Sequence, residues 1–240
     1  MQDRERALWV RWVGANTLGE TIGLGFTALV AVAVAGAGAG DTGRLSLMVA
    51  AVVALVAAGA VEGVVVGYAQ WRVLRGPLAA LSARSWVLAT VIGAVVAWSL
   101  GMVPSTLAGG AGEGAAPPVS DAVQYLLAAL MGLVLGPVLG VPQWRVLRRF
   151  VPRAGQWVLA NAAAWAAGMP VIFLAAGSVP AGAPLWLLAA AVLGACAAAG
   201  AVVGAVHGVW LVWLLRVRAG PSPTSPGTPH LPAGDAPSAR

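Results

Sequence analysis

No lysine occurs in this chain of 240 residues, cysteine occurs once, histidine twice, and only 9% of residues are charged. A soluble domain carries roughly 25% charged residues, so the chain lacks the polar surface needed to face water. The lone Cys196 lies in an apolar run, which excludes an intrachain disulfide and argues against a thiolate metal site. Two histidines, His207 and His230, argue against a haem or zinc site. No His-Glu-x-x-His, Gly-x-Ser-x-Gly or P-loop pattern is present, so no catalytic residue, metal or cofactor is assigned and the chain is read as a non-enzyme. What is present is apolar: 60% of residues, with a mean hydropathy of +0.86. All fourteen basic residues are Arg, and Ala, Gly and Val abound, a coding bias that points to a GC-rich bacterial genome.

Six stretches are long enough to cross a hydrocarbon core of about 30 Å, which takes around 20 apolar residues. They run near 13–35, 45–71, 85–103, 122–144, 156–176 and 184–214. Backbone polar groups in lipid must be satisfied within each segment, so these are helices and not strands. Breaks are expected at Gly36–Arg44, Arg72–Arg84, Pro104–Ser120, Arg145–Gly155 and Gly177–Ala183. With the N-terminus inside, thirteen of the fourteen arginines fall on one side, and Arg44 falls on the other with Asp41, Glu113 and Asp121. The positive-inside rule then makes both termini cytoplasmic, in the plasma membrane of a bacterium. The formal charge of +6 is thus a topology signal and not a nucleic-acid footprint. Ala33-Val34-Ala35 resembles a signal-peptide cleavage site, but residues 12–16 belong to the internal repeat described next, which argues against cleavage. Residues 219–240, rich in Pro, Ser and Thr, read as a disordered cytoplasmic tail after a six-helix domain over 1–218.

The string Gln-Trp-Arg-Val-Leu-Arg occurs at 70–75 and again at 143–148. Odd-numbered helices open alike, with Trp12-Val13-Gly14-Ala15-Asn16, Trp86-Val87-Leu88-Ala89-Thr90 and Trp157-Val158-Leu159-Ala160-Asn161. Even-numbered helices close alike: Gly67, Gly140 and Gly208 stand eight residues before Arg75, Arg148 and Arg216, and Gly63, Gly136 and Gly204 twelve before. The third copy has Leu211-Val212 where the others have Gln-Trp. The unit is a helical hairpin, with copies at about 9–75, 84–148 and 155–216. Copies running in one direction imply a pseudo-threefold axis along the membrane normal, and parallel repeats occur among transporters. Glycines four apart let a neighbouring backbone approach closely, which is how helices pack in lipid, and the amides of Gln70 and Gln143 lie on the same face.

The strings Gln70–Arg75 followed by Trp86–Ala89, and Gln143–Arg149 followed by Pro152–Ala160, resemble a group of uncharacterised bacterial membrane proteins built from Gln-Trp-x-x-Leu-Arg hairpins. The resemblance covers most of 9–216 and implies the fold, with no activity attached. Mitochondrial carriers are similar only in helix count, because their Pro-x-acidic-x-x-basic signature is absent.

Ionisable groups inside a membrane are costly and mark functional candidates. Glu20, Glu62 and His207 each lie eight or nine residues from a helix end marked by Trp or Arg, or roughly 12–14 Å inward at 1.5 Å per residue. Two carboxylates in low dielectric resist double ionisation, and an imidazole could share the proton; the simpler and favoured reading is that each is protonated or paired and ties helices together. Asn16 and Asn161, equivalent in the repeat, complete the candidate polar cluster. Pro137 and Pro142 should interrupt helix 4 and Pro170 helix 5; a plain kink is the favoured explanation, and a cavity between those helices and the Glu-bearing hairpin the alternative. Trp71, Arg72, Arg75, Trp144, Arg145, Arg148, Arg149 and Arg153 form the interfacial set, able to contact anionic lipid headgroups. The first reading is a non-catalytic scaffold, sensor or assembly protein, in contact with lipid and with a second copy or another membrane protein. The alternative is a small proton- or cation-linked transporter or channel through Glu20, Glu62 and His207. Geometry separates them: a water-accessible cavity reaching Glu62 favours transport, a dry, close-packed interior the scaffold.

Overall fold

The chain forms six α-helices in a computed structural model, which describes residues 2–37, 44–109, 120–180 and 182–219. They are α1 (Asp3–Ala37), α2 (Arg44–Leu74), α3 (Ala83–Gly109), α4 (Asp121–Leu147), α5 (Gln156–Gly177) and α6 (Leu185–Ala219). All six are long and apolar enough to cross a membrane, and no strand occurs among the described residues. Asp41, Glu113, His230, Arg240 and the tail from 220 lie outside the described residues.

The helices differ from the expected spans in two ways. α1 starts at Asp3, α3 continues through Pro104 to Gly109 and α6 reaches Ala219. At 1.5 Å per residue, the 35 residues of α1 make about 52 Å, so its ends pass the hydrocarbon boundary and need not be apolar. Second, Pro137, Pro142 and Pro170 do not break their helices: α4 and α5 run through them. Each proline removes a single ladder bond, and the close packing of α4 on α5 holds the remaining turns in place.

Each helix packs on its neighbours in sequence, and α6 returns to α1, closing a ring. Glycine sets the spacing. The faces of Gly63 and Gly67 meet Val87, Thr90 and Val91 of α3; those of Gly136 and Gly140 meet Asn161 and Ala162 of α5; those of Gly204 and Gly208 meet Trp9, Trp12, Val13 and Asn16 of α1. A Cβ at Gly63 would stand 2.8 Å from the Val91 Cα, and one at Gly204 2.9 Å from the Asn16 Cβ, distances at which something must shift. All six glycines named from the sequence therefore lie in helix contacts.

The large buried side chains gather at one end of the bundle. Trp12, Trp86 and Trp157 are fully buried there with Leu74, Leu78, Leu81, Leu147, Leu211 and Leu214. Their rings meet at angles: Trp12 and Trp157 edge to face at 5.8 Å, Trp86 and Trp157 at 6.2 Å. The connecting segments seal this end. Trp71 donates its indole N–H to the Leu81 carbonyl at 3.0 Å, and Arg218 donates to the Pro77 carbonyl at 2.8 Å. Glu5 and Arg216 form a two-pronged ion pair between α1 and α6. The outer surface carries Leu18, Leu29, Val32, Leu126, Val134 and Trp186, and the buried interior carries the polar side chains. That is the reverse of a soluble protein and suits a lipid surround.

Candidate functional site: a polar layer beneath an apolar cavity

Just inside the tryptophan cluster, the helices supply one amide-bearing or hydroxyl side chain after another. Gln70 on α2 donates to Asn16 Oδ1 on α1 at 2.9 Å and accepts from the Trp86 indole on α3 at 3.2 Å. Gln143 on α4 donates to Thr90 on α3 at 3.0 Å and to Gln70 at 3.3 Å, and accepts from the Trp157 indole on α5 at 2.9 Å. Asn16 and Asn161 donate back to the carbonyls of Trp12 and Trp157, both at 2.8 Å, and Thr90 to that of Trp86 at 3.0 Å. The Gln70 and Gln143 amides thus bond across helices, as their position beside the glycines suggested. They also hold the tryptophans, a role that the sequence did not reveal.

The third copy departs from this pattern. Leu211 stands where the glutamine would be, and the Trp12 indole N–H, fully buried, has no hydrogen-bond partner among the described residues. Both ring nitrogens of His207 are likewise buried and unpartnered, and the ring stacks on Trp157 at 5.0 Å. Leaving buried polar atoms unpaired is costly, so the α1–α6 seam departs from the economy of the rest of the layer.

Glu20, Glu62 and His207 do come together. All three border one small void of about 30 Å³, along with Asn16, Gln70 and Thr90. Gln143 and Asn161 also border it, so the whole candidate cluster faces one space. The two carboxyls are within electrostatic reach of each other. Glu62 Oε2 accepts the Trp98 indole N–H at 3.1 Å, whereas Glu20 Oε2 has no partner. Small residues admit this crowding: a Cβ at Gly23 would lie 2.7 Å from Glu62 Cγ, and one at Gly200 2.9 Å from Glu20 Cβ.

Beyond Glu62 the interior opens into a cavity of about 710 Å³. All six helices line it, including α4 and α5 through Met131, Leu135, Trp165 and Met169, where the sequence prolines had directed attention. On α2 it spans Leu55 to Glu62 and on α1 Leu24 to Ala31, about 10 Å of helix. Its wall is apolar except for Glu62, Thr27 and the tryptophans Trp98 and Trp165, and Cys196 also lines it. Glu62, Ala94, Leu139 and Trp165 border both spaces, so the cavity floor is the roof of the polar layer.

The interfacial set sits apart from this site. Arg72, Arg75, Arg145, Arg148, Arg149 and Arg153 are exposed at the tryptophan end. Arg75 lies over the Trp71 ring at 5.5 Å and Arg148 over Trp144 at 5.6 Å, the same pairing in both copies of the string. Arg153 takes a left-handed backbone conformation, φ 55°, in the turn before α5. Trp98, Trp165 and Cys196 went unassigned in the sequence reading, because nothing local separates a cavity-lining tryptophan from one facing lipid. Their registers, Trp98 twelve residues after Trp86 and Trp165 eight after Trp157, place the two tryptophans about one helical turn apart in depth.

These features define a multi-pass α-helical membrane protein with a polar layer and an internal cavity. No known protein-family model, curated protein or solved structure matches the chain.

Proposed function

We propose that this is a small, non-catalytic membrane carrier that takes a solute into the cavity and couples its movement to a proton or cation at Glu20, Glu62 and His207. The single observation behind it is the cavity that ends on Glu62. A scaffold has no need of an apolar chamber within its bundle, nor of two acids and a free imidazole around one void beneath it. Glu62 is placed to exchange with a solute, Glu20 to share its proton, and His207, with both nitrogens unpartnered, to pass a proton toward the tryptophan end. The reading takes the three hairpins as parallel repeats about a pseudo-threefold axis. Both termini are cytoplasmic in a bacterial plasma membrane, and the Arg end faces anionic headgroups. On that orientation the cavity faces outward, and the tryptophan and glutamine layer closes the inner side.

The scaffold reading keeps one observation in its favour, the dense tryptophan end, which a carrier must loosen to release its solute. Flux separates the two. Purified protein in liposomes loaded with a pH-sensitive dye is expected to carry protons or monovalent cations down an imposed gradient, and Glu62→Gln to return the rate to that of empty liposomes. Wild-type protein that shows no flux across a broad panel of ions and solutes would sink the carrier reading.

A further inference from the structure

The cavity carries chemical information of its own. Among the described residues that line it there is no Arg and no His, and the chain has no Lys. The charge-bearing group in its wall is Glu62, backed by Glu20 across the small void. An anion would face two acids with no cation to offset them, and a strongly polar solute would lose its hydration to an apolar wall. The volume of about 710 Å³ lies inside the roughly 300–1,000 Å³ of sites that hold drug-sized ligands. Glu62 has one oxygen on Trp98, and an ionised carboxylate offers about four acceptor positions. Trp98 and Trp165 also line the cavity, and indole rings attract cations.

We infer that the cavity takes a lipophilic monocation, its charged centre at Glu62 between Trp98 and Trp165 and its apolar body against Leu135, Leu139 and Met169. Glu20, 3% exposed with an unpartnered oxygen, holds the proton that the pair shares, so that Glu62 is the ionised member, and does not touch the solute. The inference rests on the reading of the cavity as a solute site and names the class of solute.

The test uses the full chain in neutral-lipid nanodiscs, with empty nanodiscs as the blank. Three probes of similar shape are compared: tetraphenylphosphonium, the neutral triphenylphosphine oxide and the anionic tetraphenylborate. Saturable quenching of tryptophan fluorescence is expected for the cation, and Glu62→Gln should raise its Kd at least about tenfold. Cys196, the one cysteine of the chain and a cavity residue, gives a readout that needs no variant. The cation should slow its alkylation by N-ethylmaleimide, read as a mass shift, and tetraphenylborate should not. Equal binding or equal protection by the neutral or anionic probe would overturn the inference, as would an unchanged Kd in Glu62→Gln. Cation binding without any flux would overturn the carrier reading and keep this one. Gradient-driven flux without cation preference would do the reverse.

Discussion

Gly136→Val is expected to lower the melting temperature by about 6–12 °C and to reduce the yield of monodisperse protein, while Gly14→Val leaves both close to wild type. A Cβ at Gly136 would lie 2.6 Å from the Asn161 carbonyl carbon and 2.7 Å from the Ala162 Cα, and a valine adds two further methyl groups. The obstruction is backbone on α5, so no rotamer change relieves it, and the two helices must separate. Separation stretches the bonds that reach α5 from α4, including Trp157 to Gln143 at 2.9 Å. Overpacking in a dense interior costs about 1–3 kcal/mol and sometimes more. With backbone on the opposing side and a shared polar network, the upper end applies, about 3 kcal/mol. Gly14 meets nothing within 4 Å and faces outward. Thermal melting in detergent, followed by size exclusion, measures both variants. Equal loss in the two would show that glycine acts here through general helix properties and not through contact with α5.

That contrast shows what a sequence can and cannot reveal about this fold. Gly136 was legible because it recurs at one register in three hairpins, and repetition carries spatial information without an alignment. The six helices were legible because lipid permits few ways to satisfy a backbone; their closing into a ring is seen in the packing of α6 on α1. Gathering Glu20, Glu62 and His207 around one void was only half legible: depth could be read from distance to the Trp and Arg boundaries, but the facing direction could not. The cavity was signalled indirectly by Pro137, Pro142 and Pro170, and for a reason that did not hold, since α4 and α5 run unbroken through them. Space arises where small side chains such as Ala94 and Ala97 on α3 and Ala191 on α6 line one volume, a sum over six helices that no local pattern encodes. Trp12, Trp86 and Trp157 were visible as a recurring opening residue. Tryptophan at a helix end is ordinarily an interface anchor, and their complete burial comes from the ring closing over them.

The second large effect concerns the glutamines, where one substitution should weaken the layer and its mirror image strengthen it. Gln143→Leu removes bonds to Gln70 and Thr90 and leaves the Trp157 indole N–H buried without an acceptor. Interhelical hydrogen bonds in membranes average about 0.6 kcal/mol and reach about 1.7, and an orphaned buried donor adds about 1–3 kcal/mol. A loss of about 2–3 kcal/mol follows, or roughly 4–12 °C in melting temperature for a chain of this size. Leu211→Gln runs the other way. Leu211 is five residues before Arg216, as Gln70 and Gln143 are before Arg75 and Arg148. It shares the buried cluster with Trp12, and the pyrrole edge of that ring faces α6 at Gly208, where a Cβ would lie 3.3 Å from Trp12 Cδ1. A glutamine at 211 would accept from the Trp12 indole, as the other two do from Trp86 and Trp157. Its amide would donate toward Asn161, as theirs do to Asn16 and Thr90. A gain of about 1 kcal/mol, some 2–4 °C, is expected. His207 lies one turn away on the same helix and stacks on Trp157, so a stiffer seam should also slow whatever passes through it. Leu211→Gln that stabilises the fold while lowering flux would tie the missing glutamine to function. A variant that destabilises would show that Trp12 has no room for a partner, and that the third hairpin lost its glutamine for packing alone.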